Sequence, residues 1–124
     1  MKEEINDTSK ADSAGKEMIA SAINKEHIIE LLHHEMPHLQ REYHVKRLAL
    51  FGSYAKGHQK SGSDIDILVE FDGFVGLKFI DLGEYLESIL GKKVDLITTG
   101  GLNNIRHREI ADGIRRSLVY AETI

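Results

Sequence analysis

Asp64 and Asp66 stand two residues apart in the segment Ser63-Asp64-Ile65-Asp66-Ile67-Leu68-Val69. On an extended strand such neighbours project from the same face. Side by side, two carboxylates repel and ionise at a cost. A hard divalent cation removes that penalty. Mg²⁺ takes one or two carboxylates and fills its octahedron with water and substrate phosphate oxygens. Asp95, in Lys93-Val94-Asp95-Leu96-Ile97, can point at the same place if its strand lies beside that of Asp66. Three convergent carboxylates could hold two metals, or hold one and activate an attacking hydroxyl.

Gly52-Ser53 offers a complementary chemistry. It follows the apolar run Val45 to Phe51 directly and precedes a segment rich in Gly, Ser and Lys. Glycine lets backbone come close to a phosphate, and a helix starting near Ser53 presents free N–H groups and the positive end of its dipole. The Ser53 hydroxyl adds a donor. Lys56 and Lys60 are candidate partners of phosphate oxygens. Ser63 is counted as a candidate phosphate contact, its competing role being a hydrogen bond within the loop, as for Ser61. His58 lies in the same loop. An anion cradle next to paired carboxylates suits phosphoryl or nucleotidyl transfer, in which metal neutralises developing charge and the cradle orients the leaving group.

These residues need strands and turns to hold them. Val45–Phe51 reads as a strand covered on both faces, because its apolar residues are nearly continuous. Asp64–Phe71 reads as a second strand, with Ile65, Ile67, Val69 and Phe71 on one side and Asp64, Asp66, Leu68 and Glu70 on the other. Asp72-Gly73 marks a turn. The apolar spacing of Leu77–Leu90 predicts a helix closed by Gly91. Lys93–Thr98 is a third strand. Gly100-Gly101 is expected to break the chain, Asn103–Asp112 to form a last helix stopped by Gly113, and Leu118-Val119-Tyr120 to add a short closing strand. Upstream, an apolar stripe from Met18, Ile19, Ala22 and Ile23 through Ile28, Leu31 and Leu32 predicts a helix that Pro37 ends or kinks. It either covers the sheet or docks a partner, and covering the sheet is the favoured reading. The polar stretch 1–15 reads as a mobile arm, with residues 16–124 forming one domain. The fold class is α/β (α+β): a single small mixed sheet flanked by helices.

Bulk composition narrows the field. A chain of 124 residues with 41% hydrophobic and 29% charged residues reads as one globular domain. The formal net charge of −4 argues against a general nucleic-acid binder, although Arg106, His107, Arg108, Arg115 and Arg116 cluster locally. That cluster reads first as a solvated helix face and second as a dock for a phosphate or an acidic partner. The absence of cysteine excludes disulfides and thiolate metal sites. No apolar run spans a membrane and no signal-peptide pattern follows Met1, so a cytoplasmic location is expected.

The stretch Leu50-Phe51-Gly52-Ser53-Tyr54-Ala55-Lys56-Gly57, followed by Asp64-Ile65-Asp66, resembles the signature of the polymerase-beta-like nucleotidyltransferase superfamily: Gly-Ser, ten intervening residues, then Asp-x-Asp. In its length the chain is similar to the minimal nucleotidyltransferases (MNT) of that superfamily. The resemblance runs from Val45 to Thr98 and more loosely to Tyr120. It implies that Gly52 and Ser53 contact the triphosphate of ATP, that Asp64 and Asp66 bind Mg²⁺, and that Asp95 is the third carboxylate. The family carries arginine where Lys56 stands; lysine keeps the charge and loses the bidentate fork. Proteins of this kind are commonly encoded beside a HEPN-domain ribonuclease toxin and silence it by transferring AMP to one of its tyrosines. The resemblance therefore implies an antitoxin that forms a hetero-oligomer with such a toxin, without direct nucleic-acid or membrane binding. Two rivals stay open: adenylylation of a small hydroxylated molecule such as an antibiotic, and stoichiometric masking of a toxin without chemistry.

One pattern competes with these readings. His34-Glu35-Met36-Pro37-His38 matches the H-E-x-x-H zinc-protease motif, which requires both histidines on one face of a continuous helix. Pro37 is expected to interrupt that helix.

Overall fold

The computed structural model describes residues 23–73 and 76–121. The expected arm, and the start of the apolar stripe at Met18, Ile19 and Ala22, lie outside them. Helix α1 (Lys25–Tyr43) leads into strand β1 (Val45–Phe51), the short helix α2 (Gly52–Lys56) and strand β2 (Ile65–Phe71). Helix α3 (Lys78–Leu90) then leads to strand β3 (Val94–Thr98). The short helix α4 (Thr99–Asn103), helix α5 (Arg108–Ser117) and strand β4 (Val119–Ala121) complete the order.

The four strands form one mixed sheet in the order β3-β2-β1-β4. β1 pairs antiparallel with β2 and β4, and β2 pairs parallel with β3. A parallel partner requires a crossover, and α3 supplies it. The near-continuous apolar run of β1 is explained by its central place, with helices on both faces. Leu48 and Leu50 join Ile65, Ile67 and Val69 in a core closed by Ile28, Leu32, Met36 and Leu39 of α1 and Leu82, Leu86 and Leu90 of α3. Ala49, Phe51 and Leu68 face the other way, against Leu102 of α4 and Ala111 of α5. The alternation expected along β2 is thus observed, and α1 covers the sheet as favoured.

Three local expectations are corrected. Pro37 does not end α1, which runs on to Tyr43. Proline removes one bond of the helical ladder and costs about 3 kcal/mol in a helix interior. Buried Met36 and Leu39 flank it, and burying each such side chain returns roughly 1.5–3 kcal/mol. Asn24 starts this helix by accepting the His27 N–H at 2.9 Å. Gly100 and Gly101 do not break the chain but form part of α4, because the Thr98 hydroxyl caps the helix by accepting the Gly101 N–H at 2.9 Å. A Cβ on Gly101 would stand 3.1 Å from Ile97 Cγ1, so the small residue serves close packing there. Gly113 lies inside α5, which begins at Arg108 and ends at Ser117. Ala111 and Ile114 pack this helix onto the sheet, and Arg115 bonds to Asp112 within it at 3.3 Å and ties it to Asn103 at 3.0 Å. The basic cluster is exposed, as its solvated reading requires. Among the described residues no helix is long and apolar enough to cross a membrane.

Candidate active site

Parallel pairing of β2 and β3 sets Asp66 opposite Asp95. Paired residues on adjacent strands share a face, and Asp64, one residue before β2, is near enough for its charge to act on Asp66. The face is the one that carries Leu68, while the flanking Ile65 and Val94 turn into the opposite core. An alternating pattern on two strands in one register thus gathers three carboxylates at one end of the sheet. Asp66 is half-buried, whereas Asp64 and Asp95 are exposed. Burial, then the charge of Asp95, then that of Asp64 push the Asp66 carboxyl up to about 6.

The Gly52 turn closes on the same place. β1 sets Phe51 opposite Asp66, so the chain leaves β1 beside that carboxylate. Gly52 adopts φ 73°, and a Cβ there would overlap Asp66 Oδ2. Only glycine meets both demands. Ser53 is half-buried in the first turn of α2, and among the described residues its hydroxyl takes no partner. Tyr54 and Ala55 anchor that short helix in the core, so Tyr54 serves packing. Gly57 ends α2 at φ 75°, and the His58 N–H returns to the Ser53 carbonyl at 2.9 Å.

The remaining candidates are placed less closely. Lys56 is exposed on the last turn of α2, and His58 and Lys60 are exposed in the following loop. Ser63 closes that loop on itself: its Oγ accepts the Lys60 N–H at 2.9 Å, and its own N–H donates to the Lys60 carbonyl at 3.0 Å. The Ser63 hydroxyl is thereby engaged in holding the loop that delivers Asp64. One contact was invisible in the sequence. The Ser117 hydroxyl, at the end of α5, accepts the Gly52 N–H at 3.4 Å and donates to the Ile114 carbonyl at 2.9 Å. No local pattern signals a pairing between residues 65 positions apart.

A divalent cation fits this site by its donors. All three are hard carboxylates, and their mutual repulsion is what a bound cation would relieve. Among the described residues no three His, Asp or Glu side chains stand close enough together to hold a metal ion as they are. Closing one would fall to rotation of the exposed Asp64 and Asp95 about the half-buried Asp66. The H-E-x-x-H match does lie on an uninterrupted helix, so Pro37 does not dispose of it. Its glutamate is engaged elsewhere: Glu35 Oε1 accepts the Tyr85 hydroxyl at 2.6 Å, which pushes the phenol up to about 12, and His38 packs on Tyr85 at 5.1 Å between ring centres.

Known proteins share the family and the fold. Residues 36–120 match the family model described as "Nucleotidyltransferase domain". A protein adenylyltransferase, MntA, of Thermococcus cleftensis is 40% identical over 96 residues, which cover 77% of this chain and 93% of that protein. A solved structure provisionally described as a minimal nucleotidyltransferase superposes with a TM-score of 0.61 at 26% identity, over 80% of this chain and 97% of the other. A crystal structure of a toxin–antitoxin with AMP-PNP gives a TM-score of 0.54 at 25% identity, over 74% and 73%.

Proposed function

The chain belongs to the nucleotidyltransferase domain family, and from that premise we propose that it transfers AMP from ATP to a tyrosine of a HEPN-type ribonuclease toxin and thereby neutralises it. The observation that carries the chemistry is the register of Asp66 against Asp95, with Gly52 packed on the Asp66 carboxylate. The protein acceptor is supported by the adenylyltransferase relative and by the likeness to a toxin–antitoxin holding an ATP analogue. The tyrosine and the HEPN class of partner follow from the family resemblance.

In this reading Gly52 and Ser53 seat the β- and γ-phosphates, Gly52 by allowing close approach and Ser53 through its backbone N–H and its hydroxyl. Lys56 lies close enough in sequence to add positive charge. Asp64, Asp66 and Asp95 would hold Mg²⁺, which supplies charge neutralisation at the α-phosphate when bound. Asp95 takes the proton of the acceptor hydroxyl. The phenolic oxygen attacks the α-phosphorus, its bond to the bridging oxygen of the β-phosphate breaks, and pyrophosphate leaves. The products are AMP-tyrosine and pyrophosphate.

The test is intact mass spectrometry of the toxin encoded beside this chain, after incubation with substoichiometric chain, ATP and Mg²⁺. The expected result is a mass increase in AMP units, absent with the Asp64→Asn/Asp66→Asn double variant. An unmodified toxin that loses toxicity only at stoichiometric chain would replace transfer by masking. Full transfer by the double variant would remove the carboxylates from the mechanism.

A further inference from the structure

The geometry points to Ser117 as a positioning residue for the Gly52-Ser53 turn, acting on nucleotide through the backbone and not by touching it. The inference rests on the reading of Gly52 and Ser53 as the phosphate seat. Three observations carry it. Gly52 is held in the left-handed region at φ 73°, hard against the Asp66 carboxylate. Its N–H is directed to Ser117 Oγ at 3.4 Å, in a part-buried contact. That hydroxyl has its own proton committed to the Ile114 carbonyl at 2.9 Å, which turns a lone pair toward Gly52.

The arrangement has a consequence for the turn. A glycine has the widest choice of backbone conformation, so it holds φ 73° only where its surroundings restrict it. Asp66 fills the space that a side chain would need at Gly52, and Ser117 restricts the direction of the Gly52 peptide plane. The Ser53 amide and hydroxyl follow immediately in the chain, so a rotation at Gly52 would re-aim both. α5 is itself fixed to the sheet by Ala111 and Ile114 and to Asn103 by Arg115, which gives the serine a firm base. The far end of the domain thus sets the direction of the phosphate seat.

Three variants separate this from a merely structural role: Ser117→Ala, Ser117→Thr, and Ser88→Ala as control. Ser88 makes the same kind of bond to a carbonyl three residues back, Tyr85 O at 2.6 Å, on α3 and without the Gly52 contact. The first readout needs no nucleotide: amide hydrogen exchange at Gly52, followed by NMR. It should quicken in Ser117→Ala, return toward wild type in Ser117→Thr, and stay unchanged in Ser88→Ala. The second readout is the kinetics of AMP transfer. Ser117→Ala should raise KM for Mg-ATP about fivefold, the size one neutral hydrogen bond carries, while leaving KM for the protein acceptor unchanged. Ser117→Thr should lie within about twofold of wild type, less than half a hydrogen bond's worth of free energy. Unchanged exchange at Gly52 in Ser117→Ala overturns the inference whatever the kinetics show. So does quickened exchange accompanied by wild-type KM and kcat for ATP. If exchange behaves as expected but wild-type chain neither binds nor transfers any nucleotide, Ser117 keeps its hold on the turn. The reading of that turn as a phosphate seat is then what fails.

Discussion

Gly52 is where the demands of shape and chemistry meet in one residue. Its φ of 73° excludes side chains at a modest cost, but its contact with Asp66 excludes them sterically. Gly52→Ala should therefore do two kinds of damage. Strain at a left-handed position and displacement of Asp66 together should destabilise the fold by about 2 kcal/mol in urea denaturation. AMP transfer should fall on the order of a hundredfold, as expected when a reacting group is moved by about an ångström. The two effects are separable. Combined with Asp66→Ala, the same substitution should lose only the part due to φ, because the clash has no partner. A double-mutant cycle reads the difference as a coupling energy. A purely additive cycle would mean that Gly52 and Asp66 do not press on one another. The sequence pointed to close approach at this glycine but named phosphate as what approaches, and its approach to Asp66 was not legible. That contact depends on β1 running antiparallel to β2, which sets Phe51 opposite Asp66.

At the scale of elements, patterns of period two survived into the structure better than single helix-breaking residues. β1 and β2 were readable because buried strands allow few alternatives: a continuous apolar run needs cover on both faces, and alternation assigns each side chain to one. Asp95 was readable for the same reason, although its pairing with Asp66 required the parallel register that only the folded chain supplies. Pro37, Gly100, Gly101 and Gly113 misled because each has a local preference that distant packing overrides. Met36 and Leu39 hold α1 past its proline, and Thr98 caps the helix that contains the glycine pair. Gly113 stands in open space on α5, with negative φ and nothing within 4 Å of an added Cβ. Gly113→Ala should therefore stabilise the chain by about 0.5–1 kcal/mol, a rise of a few degrees in the thermal midpoint, with AMP transfer unaltered. A lower midpoint would show that α5 requires flexibility at this position.

At the scale of the molecule, a carboxylate crowded by two others sits on a strand packed on both faces. β2 is packed on both faces, so Asp66 cannot retreat from Asp95 and Asp64 by moving its backbone. In the metal-free chain, folding raises the Asp66 carboxyl from 3.8 to about 6. Between those values the folded state binds more protons than the unfolded state. The stabilising contribution of this group is therefore fully present below pH 3.8 and is lost as pH rises through about 6. In EDTA, the thermal midpoint of wild type relative to Asp66→Asn should accordingly fall between pH 5 and pH 7.5, because the amide never ionises and every other carboxylate is common to both chains. A divalent cation that binds the folded state should reverse the loss. At a hundredfold excess over its dissociation constant it contributes about 2.7 kcal/mol, and it competes with the proton on Asp66, so its effect should be larger at pH 7.5 than at pH 5. Asp66→Asn should show little of either dependence. Scanning calorimetry of both chains at the two pH values, with and without Mg²⁺, decides the matter. Parallel profiles for wild type and Asp66→Asn would mean that Asp66 is neither held from water nor crowded by Asp95 and Asp64, and that the three carboxylates do not act as one site. Divergent profiles that Mg²⁺ brings together would mean that the packed sheet holds Asp66 from water and beside other carboxylates at a cost in stability, and that a bound cation offsets this cost.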